Sequence, residues 1–165
     1  MKTITLIITI LLSIQAKAQN EIIGEYSNHF GEKIILKTDS TFEFKWHFDL
    51  AGSWTIGKWK YEKGTIILEP TYIYDTLIVK DADENFVKDS LVFSIDSNSN
   101  KISQVDYALN LLSSGGQNKV PPPIKLFYKK NKLIVIGENG KLIKKKVRGF
   151  WTKKKYRPWY IKIKK

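Results

Sequence analysis

Residues 41–48, Thr-Phe-Glu-Phe-Lys-Trp-His-Phe, decide the fold class. Aromatic side chains stand at every second position, so Phe42, Phe44, Trp46 and Phe48 share one face of an extended chain. Strict alternation over eight residues is typical of an antiparallel strand with one buried face, whereas a helix would scatter these aromatics around its circumference. His47 falls on the polar face, so we expect it to be solvated rather than to bind a metal.

The segments on either side repeat this pattern. Residues 33–37 form a short apolar run, and residues 38–40 turn the chain into the aromatic strand. Residues 53–61 carry Trp54 on one face but Trp59 on the other, and this change of phase at Gly57 predicts a β-bulge. A further strand is expected over residues 65–69.

The rest of the chain contains weaker strand signals of the same kind, at residues 72–79, 91–95, 102–105, 132–136 and 141–144. Asn139-Gly140 predicts a hairpin with a type I′ turn. Residues 106–114 are the one short helix that the pattern supports, and residues 113–123 read as an exposed loop. Roughly nine to ten strands at this spacing indicate an all-β antiparallel sandwich or up-and-down barrel.

The N-terminus has the features of a secretory signal peptide. Lys2 precedes an uncharged apolar stretch over residues 3–14, and Ala16-Lys17-Ala18 supplies a small-x-small cleavage site. The stretch is shorter than the ~20 residues of a membrane span, although an uncleaved anchor or a buried strand is the alternative. We therefore expect residues 1–18 to be removed on export to the periplasm or the extracellular space. Residues 19–165 are expected to form a single domain.

Composition excludes several kinds of chemistry. The chain has 165 residues and no cysteine, which excludes disulfides, thiolate catalysis and cysteine-ligated metals. Charge is distributed unevenly, because residues 19–124 hold 10 basic and 15 acidic residues whereas residues 125–165 hold 16 basic residues and only Glu138. The C-terminal part is therefore strongly basic.

Four short motifs follow one another in the first half of the chain: Gly24-Glu25-Tyr26, residues 36–44, Gly57-Lys58-Trp59 and residues 65–68. In this order they resemble the lipocalin-like proteins, which are small exported β-barrels. Tyr26 stands where that family has Trp, and Ser40 replaces a turn glycine. In the family a late Arg packs over the Trp, and Arg148 and Arg157 are the candidates here. The resemblance implies an up-and-down barrel of about eight to ten strands with an apolar cavity for a small hydrophobic ligand.

Aromatic side chains are the candidate lining of such a cavity. A barrel of about eight strands either fills its interior with side chains or holds one ligand, so a packed core is the alternative role for the same residues. The predicted ligand-binding residues are Phe42, Phe44, Trp46, Phe48, Trp54, Tyr72 and Tyr74.

A second candidate site is the basic C-terminal part, where cations alternate with aromatic residues. This composition suits anionic glycans or a membrane surface with anionic headgroups, and export disfavours nucleic acid as a partner. The alternative is ordinary strand chemistry, in which Ile161 and Ile163 face inward and lysines face water. The predicted polyanion-binding residues are Lys144, Lys145, Lys146, Arg148, Lys153, Lys154, Lys155 and Arg157.

Motifs for catalysis are almost absent. The chain has two histidines and neither the His-Glu-x-x-His nor the Gly-x-Ser-x-Gly motif. Glu43 and Glu69 could serve a glycosidase only if the fold brought them together. We therefore expect no catalytic residues, no cofactor and no metal site. The hypotheses left by the sequence are a barrel binding a small hydrophobic ligand, a protein binding anionic surfaces, and a structural or accessory protein without a ligand.

Overall fold

Strand β3 (Thr41–Phe48) has the bounds that its alternation predicts, and it is one member of a closed barrel. The computed structural model describes residues 21–49, 51–73, 75–92 and 120–164. The predicted signal peptide, the strand at 102–105 and the short helix at 106–114 lie outside these ranges. Among the described residues, no helix is long and apolar enough to cross a membrane.

Twelve strands are present in the described part of the chain. In chain order, the other strands are β1 (Gly24–Ser27), β2 (Glu32–Leu36), β4 (Ala51–Glu62), β5 (Thr65–Tyr72), β6 (Asp75–Lys80), β7 (Phe86–Val92), β8 (Lys125–Lys129), β9 (Lys132–Val135), β10 (Val147–Arg148), β11 (Lys155–Tyr156) and β12 (Tyr160–Lys162). Eight of them close an antiparallel barrel in the order β1-β12-β9-β8-β5-β4-β3-β2. The predicted all-β antiparallel barrel is therefore confirmed.

The barrel closes because β1, the first strand, pairs with β2 on one side and with β12, the last strand, on the other. Tyr26 lies opposite Ile34 of β2 on one side and opposite Lys162 of β12 on the other. Closure leaves no strand edge in the barrel free to pair with another chain. The remaining four strands form two separate hairpins, β6–β7 and β10–β11.

Alternate residues of the barrel strands fill its interior. The buried core contains Phe42 and Phe44 of β3 together with Ile34, Leu68 and Leu133 from neighbouring strands. Phe44 is 0% exposed, so its ring is packed among these side chains.

The predicted bulge at Gly57 is wrong. Pairing of β4 with β3 and with β5 runs through Gly57 without a shift of register. Ser53, Thr55 and Trp59 therefore all face inward, and the half-buried Trp54 faces outward. The prediction failed because it assumed that the most apolar side chains must face the core, whereas Ser53 is accommodated inside by donating its hydroxyl to the carbonyl of Val120, 3.2 Å away.

Residues 120–123 also differ from the prediction of an exposed loop. Val120 packs against the core and Pro122 is buried. The carbonyl of Ile124 accepts a hydrogen bond of 2.8 Å from the Leu68 amide. This segment therefore covers one end of the barrel, while residues 113–119 lie outside the described ranges.

The hairpin at Asn139-Gly140 forms, but with a different turn and a shorter second strand. Only Gly140 has a positive φ within this turn, so it is not type I′. The Gly140 amide donates to the carbonyl of Gly137 at 2.9 Å, and the predicted strand at 141–144 is reduced to a single bridge between Ile136 and Leu142.

The predicted strand at 72–79 is divided between β5 and β6, and β7 begins ahead of the predicted strand at 91–95. Residues 93–95 lie outside the described ranges. The acidic loop between β6 and β7 is a turn in which Asp81 Oδ1 accepts hydrogen bonds from the amides of Asp83 and Asn85, both at 2.9 Å.

Tyr26 belongs to the barrel core, at the position where the resemblance places a tryptophan. It is fully buried, its hydroxyl donates to the carbonyl of Ile22 at 2.6 Å, and burial raises its pKa. The cation above its ring is Lys162, whose Nζ lies 5.8 Å from the ring centroid. The expectation that Arg148 or Arg157 takes this position is therefore wrong, since Arg157 packs over Trp159 instead.

Candidate ligand-binding site at the mouth of the barrel

The predicted ligand-binding residues separate into distinct environments. Phe42 and Phe44 belong to the packed core, and Trp54 faces outward. Trp46 lines a cavity at the end of the barrel. Tyr74 lies outside the described residues, and for Tyr72 only its position in β5 is described. The structure therefore does not bring Phe42, Phe44, Trp46 and Trp54 together, and among the side chains of the set that the structure describes, Trp46 is the one on the cavity described next.

This cavity, called the mouth cavity, has a volume of about 430 Å³. It lies where β2 begins and β3 ends, because Glu32 and Trp46 are register partners across these strands. Its walls are mostly apolar and include residues from the proline segment and from the C-terminal part. They are Phe30, Trp46, Pro121, Pro122, Pro123, Val135, Ile143, Val147, Phe150 and Pro158.

Three polar side chains, Asn28, Glu32 and Tyr160, also line the mouth cavity. Glu32 Oε2 accepts a hydrogen bond of 2.6 Å from Asn28 Nδ2 and a second of 2.5 Å from the hydroxyl of Tyr160. Asn28 is itself fixed, because its Oδ1 accepts the amides of Phe30 at 2.8 Å and Glu32 at 3.2 Å. The carboxylate is therefore held in one orientation, and its other oxygen, Oε1, has no partner among the described residues.

Tyr160 remains a hydrogen-bond donor over the physiological pH range. Burial raises its pKa well above the ordinary value, and the charge of Glu32 together with the hydrogen bond raises it further. Tyr160 is almost fully buried, so its hydroxyl joins the core of the barrel to the polar part of the mouth cavity.

Hairpin β10–β11 with its connecting residues, 147–156, is called the C-terminal hairpin, and aromatic contacts join it to the barrel rim. The ring centroids of Phe48 and Phe150 are 4.1 Å apart, and Phe30 meets Phe150 edge-on at 6.2 Å. Tyr156 packs on His29 with centroids 4.4 Å apart. Phe48 therefore anchors this hairpin rather than lining the cavity.

The predicted polyanion-binding residues lie on the C-terminal hairpin and at its two ends. Arg148 and Lys155 are register partners, and Arg148 Nε donates to the carbonyl of Thr152 at 3.0 Å. The side chain of Trp151 at the tip is 95% exposed. All eight predicted cations are exposed: Lys144, Lys145, Lys146, Arg148, Lys153, Lys154, Lys155 and Arg157.

Sequence reasoning missed Asn28, Glu32 and Tyr160. Glu32 and Tyr160 are 128 residues apart, so no local pattern connects them. The alternation of residues 161–164 was also assigned to the wrong face, since Ile161 is 50% and Ile163 is 41% exposed. Tyr160 and Lys162 face inward in β12. A prediction from hydrophobicity alone instead places Ile161 and Ile163 inside, because they are the more apolar residues.

The carboxylates considered for glycosidase chemistry are not neighbours. Glu43 lies on β3 and pairs with Lys37 at 2.7 Å, whereas Glu69 lies on β5 and pairs with Lys60 at 3.1 Å. The hydrogen bond from Lys37 lowers the pKa of Glu43, which is opposite to what a general acid requires. Among the described residues, no group of three His, Asp or Glu side chains could bind one metal ion. His47 is exposed, as its place on the polar face predicts.

The fold and the mouth cavity together define a small eight-stranded antiparallel barrel, consistent with a lipocalin-like fold. No protein-family model, no curated protein and no solved structure matches this chain. The fold class therefore stands on the geometry alone.

Proposed function

We propose that the protein binds a small, mainly apolar molecule carrying a positively charged or hydrogen-bond-donating group, in the mouth cavity. A volume of about 430 Å³ is within the ordinary range for small-molecule sites, which combine apolar walls with a few oriented polar groups. The observation that carries the proposal is the orientation of Glu32. Asn28 and Tyr160 both bind Oε2, and no described residue binds Oε1, so Glu32 can offer this oxygen as an acceptor at the mouth cavity that it lines.

Apolar contacts would supply most of the affinity, and the carboxylate would select the ligand. Phe30, Trp46 and Phe150 offer aromatic surface around the cavity. A carboxylate in such surroundings favours a donor, above all a cation, and disfavours an anion of the same shape.

Three naphthalene probes of equal size test this proposal: 1-(aminomethyl)naphthalene, 1-naphthalenemethanol and 1-naphthoate. We expect the amine to bind most tightly and the carboxylate least, as measured by titration calorimetry. Glu32→Gln is expected to weaken binding of the amine roughly tenfold or more, because it removes a hydrogen bond between charged groups, and to change binding of the alcohol much less.

Glu69→Gln provides the matched control, since it removes a carboxylate from the outer face of the barrel, where Glu69 is 57% exposed. This variant should bind all three probes like the unaltered chain. Equal affinity for the three probes, together with no effect of Glu32→Gln, would contradict the proposal. In that contradicting case, a native mass spectrum of the protein purified without detergent should also show no bound molecule of a few hundred daltons.

A second candidate function is attachment to a membrane surface bearing anionic headgroups, and the exposure of Trp151 favours it. This side chain projects from a hairpin that carries Arg148 and the lysines at 153–155. An aromatic side chain between cations suits the interface of an anionic bilayer, where the ring enters the headgroup region and the cations meet phosphates.

Vesicle sedimentation tests this second function. We expect binding to phosphatidylglycerol vesicles that falls steeply with added salt, little binding to phosphatidylcholine, and a roughly tenfold loss of affinity in Trp151→Ala. Trp54→Ala is the control for loss of a tryptophan away from the hairpin. Salt-insensitive binding, or binding of heparin but not of vesicles, would contradict membrane attachment.

A further inference from the structure

A second cavity, about 330 Å³ in volume, lies on the outer face of β8 and β9 and is called the Trp159 cavity. Leu126 and Leu133 point from these strands into the core, so the alternate residues Phe127, Lys132 and Ile134 point outward and line the cavity. Leu142 and Trp159 complete its apolar lining.

Five cations line the Trp159 cavity, and none of the lining residues that the structure describes is a carboxylate. The five cations are Lys129, Lys130, Lys132, Lys144 and Arg157. The ion pairs among the described residues involve lysines between positions 33 and 80, and none of these five cations. The positive charge around this cavity is therefore uncompensated within the described part of the protein.

The fold forces three of these cations together. Lys130 and Asn131 form a two-residue turn with φ of 47° and 60°, a left-handed conformation that Asn tolerates well and that Lys adopts at a cost. This turn places Lys129 and Lys132 directly opposite each other across the strand pair. Like charges in this arrangement repel each other and lower stability. A bound anion would offset this repulsion.

Two of these cations lie over the ring of Trp159. The guanidinium of Arg157 lies 4.6 Å from its ring centroid, and Lys132 Nζ lies 5.4 Å from it. The indole Nε1 is buried and has no hydrogen-bond acceptor among the described residues. Trp159 therefore holds two of the five cations at the wall of the cavity.

We propose that the Trp159 cavity binds a phosphate-bearing anion. Arg157 and Lys132 would contact its oxygens, and Lys129, Lys130 and Lys144 would add to the positive potential. The phosphate could belong to a small soluble molecule or to a lipid headgroup, since both present the same oxygens. The mouth cavity is a different site, and this proposal does not depend on its ligand.

Sodium pyrophosphate is the probe, titrated into the full chain at ionic strength held constant with sodium chloride. The indole N–H resonance of Trp159 is the measurement, assigned by its absence in Trp159→Phe. We expect a saturable shift of this resonance. The double substitution Lys132→Gln/Arg157→Gln is expected to weaken the binding at least tenfold, because each cation contributes charge-assisted hydrogen bonds.

Lys153→Gln/Lys155→Gln removes the same charge from the C-terminal hairpin and serves as the matched control, with affinity expected within about twofold of the unaltered chain. A second double substitution in the Trp159 cavity, Lys129→Gln/Lys132→Gln, distinguishes a loss of anion binding from a loss of stability. Because it removes a cross-strand repulsion, it should raise the denaturation midpoint without anion while lowering pyrophosphate affinity at least tenfold.

Two results would overturn the proposal: no saturable shift of the Trp159 resonance with either pyrophosphate or phosphatidic acid vesicles, or an equal loss of affinity in the pocket and hairpin variants. A shift with pyrophosphate supports the site with a soluble phosphate as its ligand. A shift with the vesicles alone, lost in Lys132→Gln/Arg157→Gln, supports the same site with a lipid headgroup as its ligand.

Discussion

Phe44→Ala is expected to lower the free energy of unfolding by about 3–5 kcal/mol. The phenylalanine is 0% exposed and packs in the barrel core, between Ile34 on β2 and Thr55 on β4 in the register of the sheet. Removing the ring leaves a cavity that the closed barrel cannot collapse to fill. Denaturant unfolding followed by tryptophan fluorescence gives the value directly.

Trp46→Ala, two positions along the same face, provides the contrast. Trp46 is half-buried and lines the mouth cavity, so its removal should cost less than half the stability lost in Phe44→Ala, while weakening binding of 1-(aminomethyl)naphthalene roughly tenfold. A folded Phe44→Ala variant with normal stability and no probe binding would mean that the ligand enters the interior of the barrel. Equal losses of stability in the two variants would mean that Trp46 is a core residue.

This pair of variants separates the two roles that the alternation in residues 41–48 leaves open. Period-two alternation specifies which side chains share a face, and it predicted the bounds of β3 correctly because the strand has one face in an aromatic core. It does not specify how far along the barrel each side chain lies. Phe42 and Phe44 reach the packed interior, Trp46 reaches the cavity, and Phe48 packs on Phe150.

The candidate site itself could not be predicted from the sequence. Glu32 meets Tyr160 only because β12 pairs with β1 and closes the barrel, and closure is a long-range property that no local pattern encodes. The same limit explains the wrong face assigned to Trp54. Hydrophobicity placed it inside, whereas the uninterrupted register of β4 places Ser53 and Thr55 there.

The charge of the C-terminal part was visible in the sequence, but its division between two surfaces was not. The turn at Lys130 and Asn131 and the stacking of Arg157 on Trp159 gather one group of cations around a cavity. Hairpin β10–β11 presents the lysines at 153–155 beside the exposed Trp151. Consecutive cations in a chain therefore belong to different sites, because residues 157–159 turn away from the hairpin toward β9.

Gly57→Ala is expected to destabilise the protein by about 3 kcal/mol or more. A Cβ at this position would lie 2.2 Å from the carbonyl oxygen of Glu69, 2.6 Å from Cε1 of Phe42 and 2.9 Å from Cα of Pro70. Two of these atoms belong to the backbone of β5, which cannot retreat without breaking its pairing with β4. The denaturation midpoint and the free energy of unfolding measure the effect.

Gly52→Ala is the matched control in the same strand, since its Cβ would have no neighbour closer than 3.9 Å and should leave stability unchanged or slightly raised. Combining Gly57→Ala with Phe42→Leu separates the two causes of strain. The smaller side chain relieves the contact with the ring but not the contact with the Glu69 carbonyl, so the double variant should recover little of the lost stability. Full recovery would instead assign the strain to Phe42, and a Gly57→Ala variant as stable as Gly52→Ala would show that β5 moves away from β4 at little cost. The glycine that the sequence suggested as a bulge is then required for the opposite reason: it lets two continuously paired strands approach each other with an aromatic ring packed over them.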